Sequence, residues 1–463
     1  MASSERRLFW EKLLCSSRLG LSAHNSPIFP GRTEFDRDYD RIVFSEPFRN
    51  LQDKTQVFPL SPSDYTRTRL THSLEVSCVG RSLGQLGGEY LVEKGLLPDD
   101  VSPFNIGMIV AAACLAHDLG NPPFGHSGED AIQQWAARQL NNKSLLQDFT
   151  EEERRDFLRF EGNAQSFRIL AKTQGREHRG GIRLTHATLG TLFKYPRPSC
   201  VADDVMQQFS SDVAFKKFNY FQAEAELAVE VCRVTGVPER AAGVYARHPL
   251  TFLMEAADDI CYAIVDLEDA HRLKLISFET LRDLLHPLCY ADYSFPDEKF
   301  EHDTAVVMLR SYAISSLVQA CIEVWKEQLE SIENGTFGDS LIKASGLFES
   351  YRALKQFARE KVYDDERVLL IEYAGYETLG GLLDFFYSAI VARGEALRDR
   401  KLRRIMPISN LRFGGQTQDS PEAYLESLSA YERLLCVTDY ISGLTDSAAV
   451  DLYQKLSGIK LPR

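Results

Sequence analysis

Along most of the chain, apolar residues recur at i, i+3, i+4 and i+7, the spacing that lines one face of a helix. Segments with this spacing are Leu70–Leu86, Ile106–His117, Gly128–Leu140, Glu224–Arg233, Leu250–Leu273, Ala305–Leu329, Glu366–Leu397 and Pro421–Leu444. Strand candidates are scarce, Arg41–Phe44 and Val57–Leu60 being the best of them. The pattern predicts an all-α protein. Turn-forming stretches fall at Asn25–Arg32, Leu97–Asn105, Asn121–Gly125, Gly175–Gly181, Tyr195–Ser199 and Leu285–Phe300. The last is compatible with a boundary between a chemistry-bearing core and a C-terminal helical part, and equally with a loop inside one domain.

Composition narrows the class. The 463 residues allow roughly three domains or one large helical body. A chain of this size buries a sizeable core without staples. Hydrophobic content of 44% and charged content of 26% are those of an ordinary soluble globular protein. The net charge of −13 argues against a general nucleic-acid binder. A local cluster of Lys and Arg can still focus positive potential on a phosphate-bearing small molecule. The nine cysteines are scattered without a CxxC, which favours reduced core thiols over disulfides or zinc. No leader opens the sequence and the apolar run Ile106–Ala116 is too short to span a bilayer, so the expectation is a cytoplasmic protein with no membrane contact.

The informative polar residues are His72, His117, Asp118 and Asp258, spread over three predicted helices. A lone histidine is usually structural, and a charged residue usually faces water. His117-Asp118, however, follows a long apolar run, so burial is expected, and a buried Asp must be paired or coordinated. Two imidazoles and two carboxylates make a mixed nitrogen/oxygen set suited to Mn, Mg, Co or Ni rather than to structural zinc. On an octahedral ion such a set leaves positions open for water and a phosphate oxygen, as metal-assisted hydrolysis requires.

Other residues fall into place around this set. His126 and Glu129, at i and i+3, share one face of the helix that starts there, a spacing suited to a carboxylate-oriented acid–base imidazole. The bland alternative is capping, with Ser127 at the helix start. Asp258, Tyr262 and Asp266, at i, i+4 and i+8, line one slowly drifting face. The neighbouring acids Asp259, Glu268 and Asp269 are expected to face water. Arg69, three residues before His72, and Lys194, Lys216 and Lys217 are candidate phosphate cations, though Lys is by default solvated.

Longer stretches carry a resemblance. Asn50–Leu60, Arg67–Ser73, His117–His126, Phe160–Gln165, Leu253–Ala270 and Asp439–Asp446 resemble the bacterial deoxyguanosinetriphosphate triphosphohydrolase family of the HD phosphohydrolase superfamily, from about residue 35 to about 455 and most densely over 50–270. The resemblance implies an HD-domain helical core with additional C-terminal helices: an N-terminal segment 1–34, a catalytic core 35–285, and a helical region 286–463 packed on it. It implies hydrolysis of a deoxynucleoside triphosphate (dGTP or other dNTPs) to deoxynucleoside and inorganic triphosphate. It also implies a homo-oligomer, often a hexamer.

By resemblance His72, His117, Asp118 and Asp258 hold the divalent ion, while His126 and Glu129 assist attack at the α-phosphate. Arg69, Asn163, Lys194, Tyr195 and Lys217 match phosphate-, sugar- or pocket-contacting positions. Tyr262 matches the position against the sugar, and Asp266 the acceptor of its 3′-hydroxyl. Gln56, with Val57, is the candidate base contact, and Arg403 or Arg404 a candidate for a neighbouring subunit's site or an effector pocket. Single-stranded DNA or a dNTP is the expected effector. The alternatives are an HD-type phosphodiesterase or nucleotidase, or a nucleotide- or single-stranded-DNA-responsive sensor with a silent site.

Overall fold

The computed structural model describes residues 3–21, 31–57, 66–140, 148–290, 302–406 and 421–461. Helices dominate, as the periodicity predicts; among the described residues the strands are one short antiparallel hairpin, Glu239–Ala241 with Val244–Tyr245, turning through Gly243. The strand expected at Arg41–Phe44 is instead the last turn of the helix Glu34–Val43. A capping box between Thr33 and Asp36 starts that helix, and its buried Phe35 and Ile42 lie two turns apart on one face. A short apolar run cannot be told from a helix end by periodicity alone. Of Val57–Leu60, only Val57 lies within the described residues.

Three helices frame the chemistry. The His72 helix, Arg69–Glu93, runs antiparallel to Pro103–Ala116, and small residues let their backbones nearly touch. A Cβ on Gly84 would lie 2.8 Å from Gly107 Cα, and one on Gly88 would lie 2.6 Å from Pro103 Cα. Pro103–Ala116 is buried from Asn105 to Ala116, which is why its sequence is apolar on every side. Ser102 and Asn105 cap its start, and it ends on His117. The Asp258 helix, Thr251–Arg272, packs against both of these and against His302–Glu327. His302–Glu327 contains a stretch long and apolar enough, by length and composition, to cross a membrane. Its Leu309, Ala313, Leu317, Cys321 and Trp325 are nevertheless fully buried in the protein core, and the Trp325 indole donates to the Pro249 carbonyl.

Two large apolar cores result, with a small third cluster around Ala214, Phe215 and Val244. One surrounds the three framing helices and takes in Leu309–Val362. The other joins Phe124, Ile132, Trp135, Phe157, Phe160 and Phe221 to Leu379–Phe386 and Leu434–Val437. Between them lies a buried ion network. Arg168 donates twice to Asp439, at 2.7 and 2.8 Å, and once to Glu224 at 2.5 Å.

Two long predicted helices are divided. Glu366–Leu397 is continuous to Phe386, passes through the wide turn Tyr387–Val391, and gives way to a separate helix Leu397–Ile405. Pro421–Leu444 breaks where Ser429 caps the helix Ala430–Gly443.

Candidate active site

His72, His117, Asp118 and Asp258 converge. Ligand atoms of His72, His117 and Asp118 lie within 4.8 Å of one another. Asp258 Oδ1 closes the group at 3.3 Å from His72 Nε2 and 3.4 Å from His117 Nε2. The local chain geometry sets these directions. His117 caps its helix and donates from Nδ1 to the Cys114 carbonyl at 2.6 Å, which turns Nε2 toward the cluster. Asp118 is buried and accepts from Arg69 Nη1 at 2.7 Å and Asn121 Nδ2 at 2.5 Å. Burial would lower the His117 pKa, but Asp118 and Asp258 outweigh it and carry the imidazole up to about 9. Burial likewise opposes ionisation of Asp118, yet Arg69 and then His117 hold it well below the ordinary carboxylate range. Two ionised carboxylates facing two imidazole nitrogens form a cation-seeking donor set, so the residues fit a divalent metal.

A cavity of about 440 Å³ opens over this group. Its lining includes Arg69, Asn163, Lys194, Tyr195, Lys217, Tyr262 and Gln56, as well as the four cluster residues. Lys194 Nζ sits 3.6 Å from both Glu255 and Asp258, and these charges together with Tyr195 keep its pKa above the ordinary value despite burial. Lys217 Nζ lies 2.9 Å from Glu161 and 3.7 Å from Glu129. Lys216, by contrast, is exposed.

His126 and Glu129 meet as the spacing predicts. His126 Nδ1 donates to Glu129 Oε2 at 2.9 Å, and the Gly162 amide donates to Glu129 Oε1 at 2.7 Å. Glu129 is therefore not a cap of its own helix; it is tied to the start of a later helix, Gly162–Arg168. Burial raises Glu129, but the His126 hydrogen bond and Lys217 outweigh it and hold the carboxylate low. Burial and the Glu129 charge push neighbouring Glu161 up to about 6. The His126 side chain is 77% exposed at the cavity wall, so its Nε2 is open to a ligand.

Tyr262 lines the cavity with Tyr363, their ring centroids 6.0 Å apart. Asp266 does not line it: it is buried behind, where its Oδ2 accepts from the Tyr363 hydroxyl at 2.7 Å. None of Asp259, Asp266, Glu268 and Asp269 is exposed, contrary to the expectation that the flanking acids face water. Their helix is packed on several sides, and cations neutralise the inward acids. Arg67 pairs with Glu268 at 2.7 Å and Asp269 at 2.5 Å, and Arg310 pairs with Glu268 at 2.8 Å. Asp259 receives the Tyr351 hydroxyl at 3.3 Å. Arg403 donates to the Ala389 and Gly394 carbonyls of its own chain, and Arg404 is exposed.

The cavity also holds residues that sequence reasoning passed over: Asn121, Glu161, Tyr363, Val368 and Glu372. Asn121 and Glu161 stand inside stretches already singled out. Tyr363, Val368 and Glu372 come from a remote part of the chain, and no motif there announces them.

Several known proteins are similar to this chain over nearly its whole length. A Synechocystis sp. protein called deoxyguanosinetriphosphate triphosphohydrolase-like is 40% identical, over 98% of this chain and 100% of its own length. A Pseudomonas aeruginosa protein of the same description is 39% identical over 98% of this chain and 99% of its own. The Salmonella typhimurium deoxyguanosinetriphosphate triphosphohydrolase is 32% identical over 92% and 94% respectively. Residues 344–455 match the phosphohydrolase-associated domain family.

Proposed function

The chain belongs to the deoxyguanosinetriphosphate triphosphohydrolase family, and from that membership and the cavity we propose that it hydrolyses deoxynucleoside triphosphates to deoxynucleoside and intact inorganic triphosphate with the help of a divalent cation. It is a hydrolase acting on nucleotide triphosphates; the proposal concerns the deoxy substrate, the bond cut and the cation. The observation that carries it is the convergence of His72, His117, Asp118 and Asp258 at one cavity with Arg69, Lys194 and Lys217. That pairs a metal-binding donor set with cations for a polyphosphate, in a volume within the range of roughly 300–1,000 Å³ usual for small-ligand sites.

A divalent ion (Mn, Mg, Co or Ni) held by those four residues would neutralise and polarise the α-phosphate. The rest of the chemistry falls to the protein. Arg69, Lys194 and Lys217 bind the phosphates and offset their charge while the attacking water approaches and the 5′-oxygen departs. His126 Nε2 takes a proton from the water that attacks the α-phosphorus, and the ionised Glu129 at Nδ1 stabilises the imidazolium that forms. The new bond joins the water oxygen to phosphorus, the bond to the 5′-oxygen breaks, and that oxygen takes a proton from solvent, to which His126 returns the one it accepted. Asn163 and Tyr195 shape the wall between phosphates and sugar. Tyr262 packs against the sugar where a 2′-hydroxyl would need room, which disfavours ribonucleotides. Asp266 serves the 3′-hydroxyl by way of Tyr363, and Gln56 with Val57 lies near the base.

Chromatography of products from a panel of dNTPs and NTPs, with Mn²⁺ or Mg²⁺, tests the reading. Free triphosphate and deoxynucleoside are expected. Release of pyrophosphate or orthophosphate would overturn it in favour of another HD chemistry. A homo-oligomer with a single-stranded-DNA or dNTP effector belongs to the same proposal. Light scattering, and turnover with each effector added, would test those parts.

A further inference from the structure

The C-terminal stretch Asp439–Asp446 is among those that carry the family resemblance, yet none of the chemistry above uses it. Its last residue, Asp446, is 1% exposed and opens the helix Asp446–Leu456. An acid in a first helical turn ordinarily serves its own helix, by favourable interaction with the amide end. Here Thr445 does the capping, through its hydroxyl to the Ala448 amide. Both Asp446 oxygens are turned to other segments. Oδ2 accepts from the Thr55 amide at 3.0 Å and from the Thr55 hydroxyl, and Oδ1 accepts from the Phe124 amide at 2.9 Å.

Those two partners are far apart in sequence, and both line the cavity. Thr55 is followed by Gln56 and Val57, which form part of the same wall. Phe124 lies two residues before His126 and has φ of +63°, a left-handed backbone that a bulky residue does not adopt unsupported. Its ring is held from the other side: a Cβ on Gly375 would lie 2.8 Å from Phe124 Cγ. A second tie runs in parallel, with Lys54 Nζ donating at 2.6 Å to the carbonyls of Asn121 and Ser442. Asp446 itself is not among the cavity-lining residues.

Resting on the proposed triphosphohydrolase reading, we infer that Asp446 is a positioning residue of this site. Its single carboxylate clamps the Thr55–Val57 wall and the Phe124 turn that presents His126 at a fixed separation. The phosphohydrolase-associated part of the chain thereby completes a cavity whose reacting groups all lie elsewhere.

The test uses the full chain with Asp446→Asn, Asp446→Ala and the milder Thr55→Val. Losing charge-assisted hydrogen bonds of this kind should raise KM for the best dNTP about tenfold in Asp446→Ala. Thr55→Val should raise it less, and the double variant should be no worse than Asp446→Ala alone, because both remove the same contact. Mn²⁺ binding should be unchanged. Amide exchange should rise at Thr55 and Phe124 while the His72 and Asp258 helices stay protected. Unaltered exchange at those two amides overturns the inference, as does a rise spread over the whole molecule or a multiplicative double variant. Exchange reads the clamp without turnover. An unaltered chain that releases no triphosphate from any dNTP therefore counts against the proposed activity, while the exchange result still decides the clamp.

Discussion

At the scale of single residues, the site depends on charges whose burial is tolerable only because each has a partner. Asp118 shows this most clearly: Arg69 grips one oxygen, Asn121 the other, and His117 Nε2 stands 3.5 Å away. Asp118→Ala is expected to remove the cation and at least about three orders of magnitude of turnover, as loss of a component that acts as a unit does. Metal analysis of the purified variant, together with its circular dichroism, separates lost metal from lost fold. Tyr262→Ala should narrow the dNTP-to-NTP preference while Mn²⁺ affinity stays the same, measured by paired turnover and metal titration; unchanged discrimination would remove the tyrosine from substrate selection. His248 gives a pH prediction. Burial drives its pKa from 6.5 down to about 4, the neutral ring donating from Nε2 to the Leu13 carbonyl and accepting from the Leu250 amide. A pKa lowered on folding means that the unfolded chain binds the proton more readily. Stability is therefore full above about pH 6.5 and is lost as pH falls toward 4, by about 3 kcal/mol. Urea midpoints should drop between pH 7 and pH 5, and the drop should flatten in His248→Gln.

At the scale of elements, the cluster forms because the His72 and His117 helices approach closely. The contact of Gly84 with Gly107 sets their spacing. Gly84→Ala gains helix propensity but drives a methyl to within 2.8 Å of backbone that cannot yield like a side chain. Overpacking of this sort costs about 1–3 kcal/mol, and it should also weaken metal binding by spreading His72 from His117. A thermal melt and a Mn²⁺ titration on the same sample check both effects, and a more stable variant with native metal affinity would refute the argument. Much at this scale is legible in sequence. The continuous apolar run of Ile106–Ala116 marks a central helix, and the His126/Glu129 spacing marks a paired face. The strand expected at Arg41–Phe44 fails because short apolar runs carry no usable period. The Asp258 helix misleads in another way: its acids look like a solvated face, but Arg67 and Arg310, remote in sequence, neutralise them inside the protein.

At the scale of the whole molecule, the chain is held across long sequence distances by Arg168, which joins Asp439 and Glu224 between the two cores. Arg168→Ala takes the shared guanidinium from two buried carboxylates, leaving Lys172 beside Glu224 and Gln165 beside Asp439, and should cost about 3–5 kcal/mol, read as a lowered denaturation midpoint. Loss of under 1 kcal/mol would mean that water substitutes for the guanidinium. What the sequence determines by itself is whatever depends on neighbours along the chain: helical periodicity, caps, the apolar run that buries His117-Asp118, and the short motifs through which the family is readable. Tertiary structure alone decides that Asp266 lies behind Tyr363, that Glu372 and Val368 face the same cavity as Gln56, and that Asp446 grips Thr55 and Phe124. These pairings join residues about a hundred to nearly four hundred positions apart. Periodicity and capping act over a turn or two of helix; contacts at such separation exist only once the packed cores bring the segments together.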